Sequence, residues 1–376
     1  MKLVTNSHWT APTGGVEMHV FQVSRELARR GHSVNLLYVE SGSLVPEYQQ
    51  FCHSVTQVNT VDYWFPVGHR ARLVRGAQMI PAVWGAVRRR PDVVYGNRIH
   101  SSGWAVPAGR IVGAPVVLHL HGFDDDLETK HVAFLNRSVG RFVVVSQFVA
   151  DRWLTAGLDP QKVDVVHNGV DLAEYPYGGL DERTSARHRL GLPEDPFVVT
   201  YFGRLDRQKG VDVLLRAWRE LDFSPGEARL LVVGSPMVDD GSALHVAELH
   251  ELANDGVTFL PGRRDVVTPL HAADVVVVPS TFNEPFGRTV IEALSTGRPV
   301  LGSRVGGIPE ILGGPLERLL FERGNASELA EKIRSIMRWR ELEPDLADVC
   351  IERVRGGFTL AHMVDGIEAA FHSVTE

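Results

Sequence analysis

The chain has 376 residues, of which 44% are hydrophobic and 23% charged, and this length suggests two ordinary globular domains that each bury a core. The net charge of -7 argues against a general nucleic-acid-binding protein. Two distant cysteines without metal-binding spacing, no apolar signal segment and no membrane-length apolar stretch lead us to expect a cytoplasmic protein.

Short β-type stretches alternate with helical patterns in the first half of the chain, which is typical of βαβ units with a parallel sheet. The pattern lapses between Asp171 and Pro196, where proline, glycine and charged residues are frequent, and we predict a domain boundary there. The sequence predicts a helix at Val16–Arg30 and strands at Lys2–Thr5, Ser33–Val39, Asp92–Tyr95, Val116–His119, Phe142–Val145 and Val163–Val166.

The same alternation resumes after this boundary and ends in a helix predicted at Leu360–Val374. We therefore assign residues 1–172 to a first domain, 173–195 to a linker and 196–358 to a second domain, with residues 359–376 packing back on the first. Two such domains leave a cleft between the carboxyl ends of their sheets, where ligands bind. Strands are predicted at Phe197–Gly203, Arg229–Gly234, Val257–Leu260, Asp274–Pro279 and Val300–Gly302, and helices at Gly210–Leu221, Leu244–Ala253 and after Gly287.

Two glycines, Gly14 and Gly15, interrupt the chain between the first strand and the first helix. Glycines at this point let backbone amides approach an anion at the helix N-terminus. Tight turns use the same residues widely. The dinucleotide fingerprint G-x-G-x-x-G is absent, which disfavours a dehydrogenase.

The stretch His69–Arg90 is basic at both ends and apolar between. It suits either contact with an anionic membrane or acidic acceptor, or a core helix with charged flanks, and we favour the core helix. Pro81 prevents one long helix.

His119 and His121 follow the strand Val116–Leu118 and lie on one strand face, which suggests a metal site. No third ligand with suitable spacing is evident, and the carboxylates from Asp124 to Asp126 are also consistent with a solvated turn. We therefore expect no metal, and we expect His121, at the strand end, to donate a hydrogen bond to a sugar hydroxyl.

Arg204 and Lys209 lie in a loop that directly follows the strand Phe197–Gly203 and precedes a helix. Two cations at the carboxyl edge of a sheet can hold a diphosphate, Arg as a fork and Lys as a point charge. A solvated loop with routine charges is the alternative. The neighbouring loop that contains Glu284 falls on the same edge and favours the functional interpretation.

Four valines that end at Pro279 are followed by a loop and an amphipathic segment that begins near Gly287. Such a strand–loop–helix turn directs backbone N–H groups and the positive end of the helix dipole at one spot, which suits a phosphate. Glu284 and Glu292 flank this spot, and eight residues of separation do not direct both at one bond. We expect them to accept hydrogen bonds from sugar and ribose hydroxyls rather than to act as an acid–base pair.

Taken together, these residues resemble the retaining glycosyltransferases of the GT-B fold called group 1, or family 4, over nearly the whole chain. The most specific part runs from Glu284-Pro285-Phe286-Gly287 to Glu292 and resembles the E-x7-E motif of that family. Further matches occur in the expected order at Gly14-Gly15, Asn168-Gly169-Val170-Asp171, Gly203-Arg204, Lys209-Gly210 and Val305-Gly306-Gly307-Ile308-Pro309-Glu310.

The resemblance implies an α/β protein with two Rossmann-like domains facing a central cleft, the donor nucleotide held mainly by the second and the acceptor by the first. It implies transfer with retention, no essential metal and no cofactor. Gly14 and Asp124 are the candidates for acceptor binding. The implied catalytic residues are Arg204, Lys209, Glu284 and His121, and the implied donor-binding residues are Gly15, Arg204, Lys209, Arg264, Glu284, Phe286, Gly287, Arg288, Thr289 and Glu292.

One departure from the family pattern concerns Arg288 and Thr289, since many members have small or apolar residues at those positions. How the chain reads the sugar there is therefore open. The donor is expected to be a UDP-sugar, with GDP-mannose next, and the acceptor a hydroxylated metabolite, glycan or lipid-linked glycan. A nucleotide-sugar 2-epimerase of the same fold and a non-catalytic nucleotide- or glycan-binding module remain as alternatives, and the oligomeric state is open.

Overall fold

The computed structural model describes residues 1–12, 14–63, 69–123, 129–236 and 242–376. They form two compact units, which we call unit 1 (Met1–Asn168 with Leu360–Glu376) and unit 2 (Gly169–Thr359). The boundary thus falls at residue 168, and the interval 173–195 that we expected to be a linker belongs to unit 2. That interval contains an 11-residue helix, Leu180–Leu190.

Unit 1 is built on a parallel sheet, and over the described residues this sheet has seven strands in the order β3-β2-β1-β4-β5-β6-β7. The order changes direction between β1 and β4. The central strands β4 and β5 are fully buried, which explains their mostly apolar sequences. The strands are β1 (Lys2–Trp9), β2 (Ser33–Glu40), β3 (Ser54–Gln57), β4 (Val93–Gly96), β5 (Val116–Leu120), β6 (Arg141–Val144) and β7 (Val163–Val165).

The helices of unit 1 include the predicted first one, which spans Gly15–Arg29. The stretch His69–Arg90 forms two helices rather than one, and Pro81 lies in the first turn of the second, where its missing N–H costs no hydrogen bond. Besides the 3₁₀ turns Ile99–Ser101 and Pro160–Lys162, the helices are α1 (Gly15–Arg29), α2 (Val45–Phe51), α3 (His69–Gln78), α4 (Ile80–Val87), α5 (Ser102–Val112), α6 (Thr129–Ser138) and α7 (Gln147–Thr155).

Unit 2 repeats the architecture with a parallel sheet of six strands, counted over its described part, in the order β10-β9-β8-β11-β12-β13. Here the order changes direction between β8 and β11. The strands are β8 (Phe197–Phe202), β9 (Ala228–Val233), β10 (Val257–Leu260), β11 (Val275–Val278), β12 (Val300–Ser303) and β13 (Leu320–Phe321). The two parallel α/β sheets confirm the predicted fold class.

The helices of unit 2 begin with the one that replaces the expected linker. They are α8 (Leu180–Leu190), α9 (Val211–Leu221), α10 (Ser242–Leu252), α11 (Val267–Ala272), α12 (Arg288–Ser295), α13 (Ile308–Ile311), α14 (Ala326–Ile336), α15 (Trp339–Leu342) and α16 (Leu346–Arg355), with 3₁₀ turns at Arg207–Lys209 and Gly314–Leu319. Helix α8 is held by Arg187, which is 0% exposed and contacts Asp274 at 2.5 Å.

The C-terminal helix α17 (Leu360–Thr375) belongs to unit 1. Its apolar face lies in the same core cluster as Tyr95 and Val117 of the sheet. The Phe371 ring packs edge-on against the Tyr95 ring, with their centroids 5.1 Å apart. Arg30 forms an ion pair with Glu368 on this helix, and His32 Nε2 lies 2.6 Å from the same carboxylate group. Among the residues that the structure describes, none of the helices combines the length and apolar character needed to cross a membrane.

Candidate functional site

Two loops meet at the carboxyl edge of the unit 2 sheet, where its strand order changes direction. One follows β8 and contains Arg204 and Lys209, and the other follows β11 and contains Glu284. The Thr281 N–H donates to the Gln208 carbonyl at 2.8 Å and ties the two loops together. In open parallel sheets this kind of position is where ligands bind.

The centre of this edge is an ion pair between Lys209 and Glu284. Lys209 Nζ lies 2.6 Å from Glu284 Oε1, and the Ser280 hydroxyl donates to the same oxygen at 2.6 Å. The Glu284 side chain is 9% exposed and the Lys209 side chain 21%, so the pair is largely shielded from solvent. Sequence reasoning placed both residues on one edge, and the structure brings them into contact.

Backbone packing fixes both partners of this ion pair. Gly210, directly after Lys209, has φ +67°, and a Cβ there would lie 2.0 Å from the Pro279 carbonyl oxygen. Gly306 has φ +54°, and its Cβ would lie 1.9 Å from the Glu284 carbonyl oxygen. Each glycine therefore allows a close backbone approach that no other residue tolerates.

Arg204 is the more exposed cation, with 44% of its side-chain surface accessible. Its guanidinium lies 3.2 Å from Asp206, while the Tyr201 hydroxyl donates to the Arg204 carbonyl. Burial raises the pKa of Tyr201 well above its ordinary value, so this hydroxyl stays protonated and can keep donating. The Asp206 carboxylate also accepts from the Lys209 N–H at 3.1 Å and thereby shapes the turn.

Helix α12 begins directly after Gly287, which has φ +106°. The first N–H groups of a helix have no intrahelical acceptor, so this end can receive an anion. Thr289 is half-buried in the first turn. Phe286 is only 2% exposed and its ring centroid lies 6.0 Å from that of Phe358, so the side chain of this expected donor-binding residue packs in the interior of unit 2.

Glu292 is 9% exposed on α12, and its carboxylate lies 3.4 Å from the Arg288 guanidinium. Burial raises the pKa of Glu292, against the lowering effect of Arg288 and of a hydrogen bond from Tyr175. Arg288, the residue that departs from the family pattern, therefore contacts the carboxylate expected to read a ribose. Arg264 lies on an exposed loop after β10.

Unit 1 has a comparable edge where α1 begins. Gly14 caps this helix, Gly15 is its first residue, and a Cβ at position 14 would lie 2.7 Å from Glu17 Oε2. Glu17, 7% exposed at its side chain, pairs with Arg98 at 3.2 Å. Asp124, the other acceptor candidate, lies outside the described residues.

His121 stacks on His119, with ring centroids 4.4 Å apart and an interplanar angle of 11°. His19 of α1 completes a cluster in which one ring nitrogen from each residue lies within 4.8 Å of the others, a set that could hold a metal ion. Sequence spacing could not reveal this third histidine, which lies 100 residues before His119. Two of these rings also contact neighbouring side chains: His19 Nδ1 lies 3.0 Å from Asn168 Oδ1, and His119 Nδ1 lies 2.6 Å from the Tyr95 hydroxyl.

Comparison with known families gives two matches that together span most of the chain. The family described as glycosyl transferases group 1 matches residues 182–355, and the one described as Glycosyltransferase Family 4 matches residues 13–174. A D-inositol 3-phosphate glycosyltransferase from Rhodococcus jostii is 31% identical over 97% of this chain and 86% of its own length. The enzyme of that name from Mycobacteroides abscessus is 30% identical over 87% and 78%.

Solved structures show the same fold. Anabaena Alr3699/HepE in complex with UDP and glucose superposes with a TM-score of 0.83 at 23% identity, covering 99% of this chain and 100% of that one. A sucrose-phosphate synthase from Thermosynechococcus elongatus has a TM-score of 0.77 at 21% identity, with 99% and 98% covered. Both halves of the molecule therefore have counterparts of known architecture.

Proposed function

The chain belongs to the group 1 glycosyltransferases of family 4 and has their GT-B fold, and from this membership we propose that it transfers a hexosyl group from a UDP-sugar to a hydroxyl acceptor, with retention and without a metal ion. That it is a glycosyltransferase follows from the family. The donor, the stereochemistry and the acceptor are the proposal. UDP is favoured because Alr3699/HepE, which has the same fold, is known in complex with UDP and glucose. GDP-mannose is the next choice.

The contact between Lys209 and Glu284 carries this proposal. A fixed ammonium group can stabilise the charge that develops on a departing diphosphate, and a carboxylate beside it can accept hydrogen bonds from the donor sugar. Arg204, on the same loop, adds a second cation. The transition state of glycosyl transfer is oxocarbenium-like, so positive groups where the diphosphate leaves are the main contribution expected of the protein.

In this mechanism the acceptor attacks the face of the sugar from which the diphosphate departs. The C–O bond to the diphosphate breaks as the bond to the acceptor oxygen forms, and the leaving phosphate oxygen takes the acceptor proton. No carboxylate is required to act as a nucleophile. The resemblance also gives Gly15 and His121 of unit 1 roles in donor binding, and variants of these residues test those roles.

The decisive experiment compares alanine variants along one loop. Lys209→Ala and Arg204→Ala should each lower kcat by about 10²-fold or more, the size expected for a lost group that stabilises transition-state charge. Arg207→Ala is the matched control, because Arg207 lies on the same turn but is 67% exposed and pairs with Glu248. A folded Lys209→Ala protein with a near-normal rate would contradict the assignment.

The donor is identified by a thermal-shift screen of UDP, GDP, ADP and TDP sugars, since a ligand that binds only the folded state raises Tm by mass action. A shift with none of them would contradict nucleotide-sugar binding.

NMR of the product's anomeric proton tests retention. Conversion of a UDP-sugar to its epimer without any acceptor would instead indicate an epimerase.

For the acceptor, D-inositol 3-phosphate is the first compound to test, because the relatives at 30–31% identity are named for it. Mass spectrometry of the reaction with a UDP-sugar should show one added hexosyl unit on an acceptor of this type. If the compound is not glycosylated, a panel of sugars and lipid-linked glycans is next.

A peripheral membrane contact is also proposed, at helices α3 and α4. We favoured a core helix for this stretch, and α4 does bury Ala82 and Ala86. On the other side Val74, Ile80 and Trp84 are 56%, 62% and 53% exposed, and the Arg88 guanidinium lies 5.1 Å from the centroid of the Trp84 ring. Exposed apolar side chains beside arginines suit an anionic membrane surface.

Sedimentation with phosphatidylglycerol vesicles should deplete the protein from the supernatant. The double substitution of Ile80→Ser with Trp84→Ser should abolish this co-sedimentation, whereas Ile111→Ser, on an exposed site of α5, should leave it unchanged.

A further inference from the structure

His8 and Asp62 form a second pair of titratable groups in unit 1, outside the residues discussed so far. His8 lies at the carboxyl end of β1, and its Nδ1 is 2.6 Å from Asp62 Oδ2. The Asp62 side chain is 4% exposed, whereas the His8 side chain is 27% exposed. Asp62 Oδ1 is buried and has no hydrogen-bond partner within the described parts of the chain.

This contact determines which ring nitrogen of His8 carries the proton. A carboxylate at Nδ1 requires a proton on that nitrogen, which leaves the lone pair of the neutral ring on Nε2. Nε2 is then a hydrogen-bond acceptor at a partly open position. A substrate hydroxyl is a suitable donor to it, and the buried Asp62 keeps the ring in this orientation.

Trp9 adds an apolar surface next to this acceptor. Its ring centroid lies 4.4 Å from that of His8 at an interplanar angle of 62°, and 43% of the residue is exposed. The exposed indole offers a flat apolar face beside a hydrogen-bonding group. The C–H face of a sugar or cyclitol ring suits such a surface, while its hydroxyls suit His8.

The topology of unit 1 places these residues at a ligand-binding position. The strand order changes direction between β1 and β4, and His8 and Trp9 end β1. Asn97, directly after β4, is bonded to β1 through its N–H to Asn6 Oδ1 at 3.1 Å and holds the two strand ends together. Arg98 follows and pairs with Glu17 at 3.2 Å, so its charge is partly neutralised.

We propose that His8, Trp9 and Asp62 form an acceptor-binding subsite that takes a polyol ring, either a sugar or a cyclitol. One ring hydroxyl donates to His8 Nε2, the C–H face of the ring packs on Trp9, and Asp62 positions His8 without touching the substrate. This inference rests on the proposed function, since it supplies the acceptor for that transfer.

The test measures steady-state kinetics with the acceptor varied. His8→Ala and Trp9→Ala should raise the acceptor KM about tenfold, the effect of a lost hydrogen bond or ring contact of ordinary strength. The donor KM and the acceptor-independent hydrolysis of the donor should not change. His53→Ala and Phe134→Ala are matched controls, because both residues are exposed on unit 1. An acceptor KM within twofold of wild type in both test variants overturns the inference.

Asp62→Asn separates positioning from folding. An amide that donates to Nδ1 would place the His8 proton on Nε2, so acceptor KM should rise while Tm stays near that of wild type. A change in Tm with no change in acceptor KM would show that the pair is only structural.

Ligand-observed NMR tests binding at this subsite separately from sugar transfer, so failure of the inference can be told apart from failure of the proposed function. Its probes are D-inositol 3-phosphate and methyl α-glucoside, with wild type and Trp9→Ala. A protein that binds a probe through Trp9 but transfers no sugar supports the subsite and contradicts the proposed function. Binding of neither probe by wild type, or equal binding by both proteins, overturns the subsite.

Discussion

Glu292 combines a buried position with a charged partner, and both bear on how a ribose would be bound. Burial raises its pKa, while Arg288 at 3.4 Å and Tyr175 favour the ionised form. A carboxylate held in this way is oriented and ready to accept hydrogen bonds. Any hydroxyl that binds there has to share the carboxylate with Arg288.

A double-mutant cycle tests this role at the level of one residue. UDP binding should weaken by about tenfold in Glu292→Gln, the effect of losing a hydrogen bond to a charged group. Removing the ribose hydroxyls, as in 2′,3′-dideoxy-UDP, should weaken binding to wild type similarly but should have little further effect on the variant. Calorimetry measures all four affinities. Additive losses would show that Glu292 does not contact the ribose.

The histidine cluster gives a separate prediction about metal dependence. Burial lowers the pKa of His119 to about 3, so this ring is neutral at any working pH and could serve as a ligand. The proposed transfer nevertheless requires no metal. We expect transferase activity to be unchanged after exhaustive treatment with EDTA, and elemental analysis should show zinc well below one ion per chain. Loss of activity that zinc restores would contradict the metal-independent mechanism.

Single residues also show what could be predicted from the sequence. The common location of Arg204, Lys209 and Glu284 could be predicted because each follows a recognisable buried strand, and parallel strands end at one edge of a sheet. The contact of Arg288 with Glu292 was not predicted, although the two residues are four apart on one helix, because that spacing alone does not show whether two side chains meet each other or a ligand. His8 and Asp62 are 54 residues apart, and the strand β3 that precedes Asp62 was not predicted.

At the scale of elements, helix α8 shows why composition misplaced the linker. Its sequence is rich in charged residues, which indicates solvent exposure, but Arg187 and Arg183 turn inward to Asp274. Arg340 of α15 binds the same carboxylate at 3.3 Å. These partners are 66 to 91 residues apart from Asp274, so no local pattern could reveal them. One buried aspartate thus connects two helices to the sheet of unit 2.

Replacing this aspartate should destabilise unit 2. Asp274→Asn leaves buried arginines without their counter-charge and should lower the free energy of unfolding by about 3 kcal/mol or more. Denaturant unfolding with retained m-value measures the change. The matched control is Asp348→Asn, on the surface of α16. A stability change below that of the control would show that the cluster has no net effect.

The ion pairs of Asp274 with its arginine partners also determine how stable unit 2 is in acid. Burial opposes ionisation of Asp274, yet Arg187, Arg183 and Arg340 outweigh it and lower the pKa of the carboxyl group. A group with a lowered native pKa stabilises the fold above its unfolded pKa, about 3.9, and loses that contribution as the pH falls through the native value. Wild type should therefore lose stability below about pH 4, and Asp274→Asn should show a smaller loss over that range.

At the scale of the whole molecule, each unit is a parallel sheet whose order changes direction once, and each candidate site lies at that point. The sequence could predict two such sheets because apolar strands alternate with helices along the chain. It could also predict a C-terminal helix that returns to the first sheet, but the depth of its burial depends on contacts across the full chain length. Phe371, which is 0% exposed and packs against Tyr95, is one of these contacts.

Because its last helix completes the core of unit 1, we expect a substitution in this helix to change the thermal unfolding of the protein. Phe371→Ala leaves a cavity in the unit 1 core and should cost about 3–5 kcal/mol, whereas His372→Ala, on the exposed side of the same helix, should be nearly neutral. Because the donor nucleotide is proposed to bind unit 2, saturating UDP should still raise the melting transition of unit 2 in the variant. Calorimetry with and without UDP should therefore show one transition lowered by the substitution and another still raised by the nucleotide. If Phe371→Ala abolishes the UDP response as well, unit 2 does not bind the nucleotide independently of the unit 1 core.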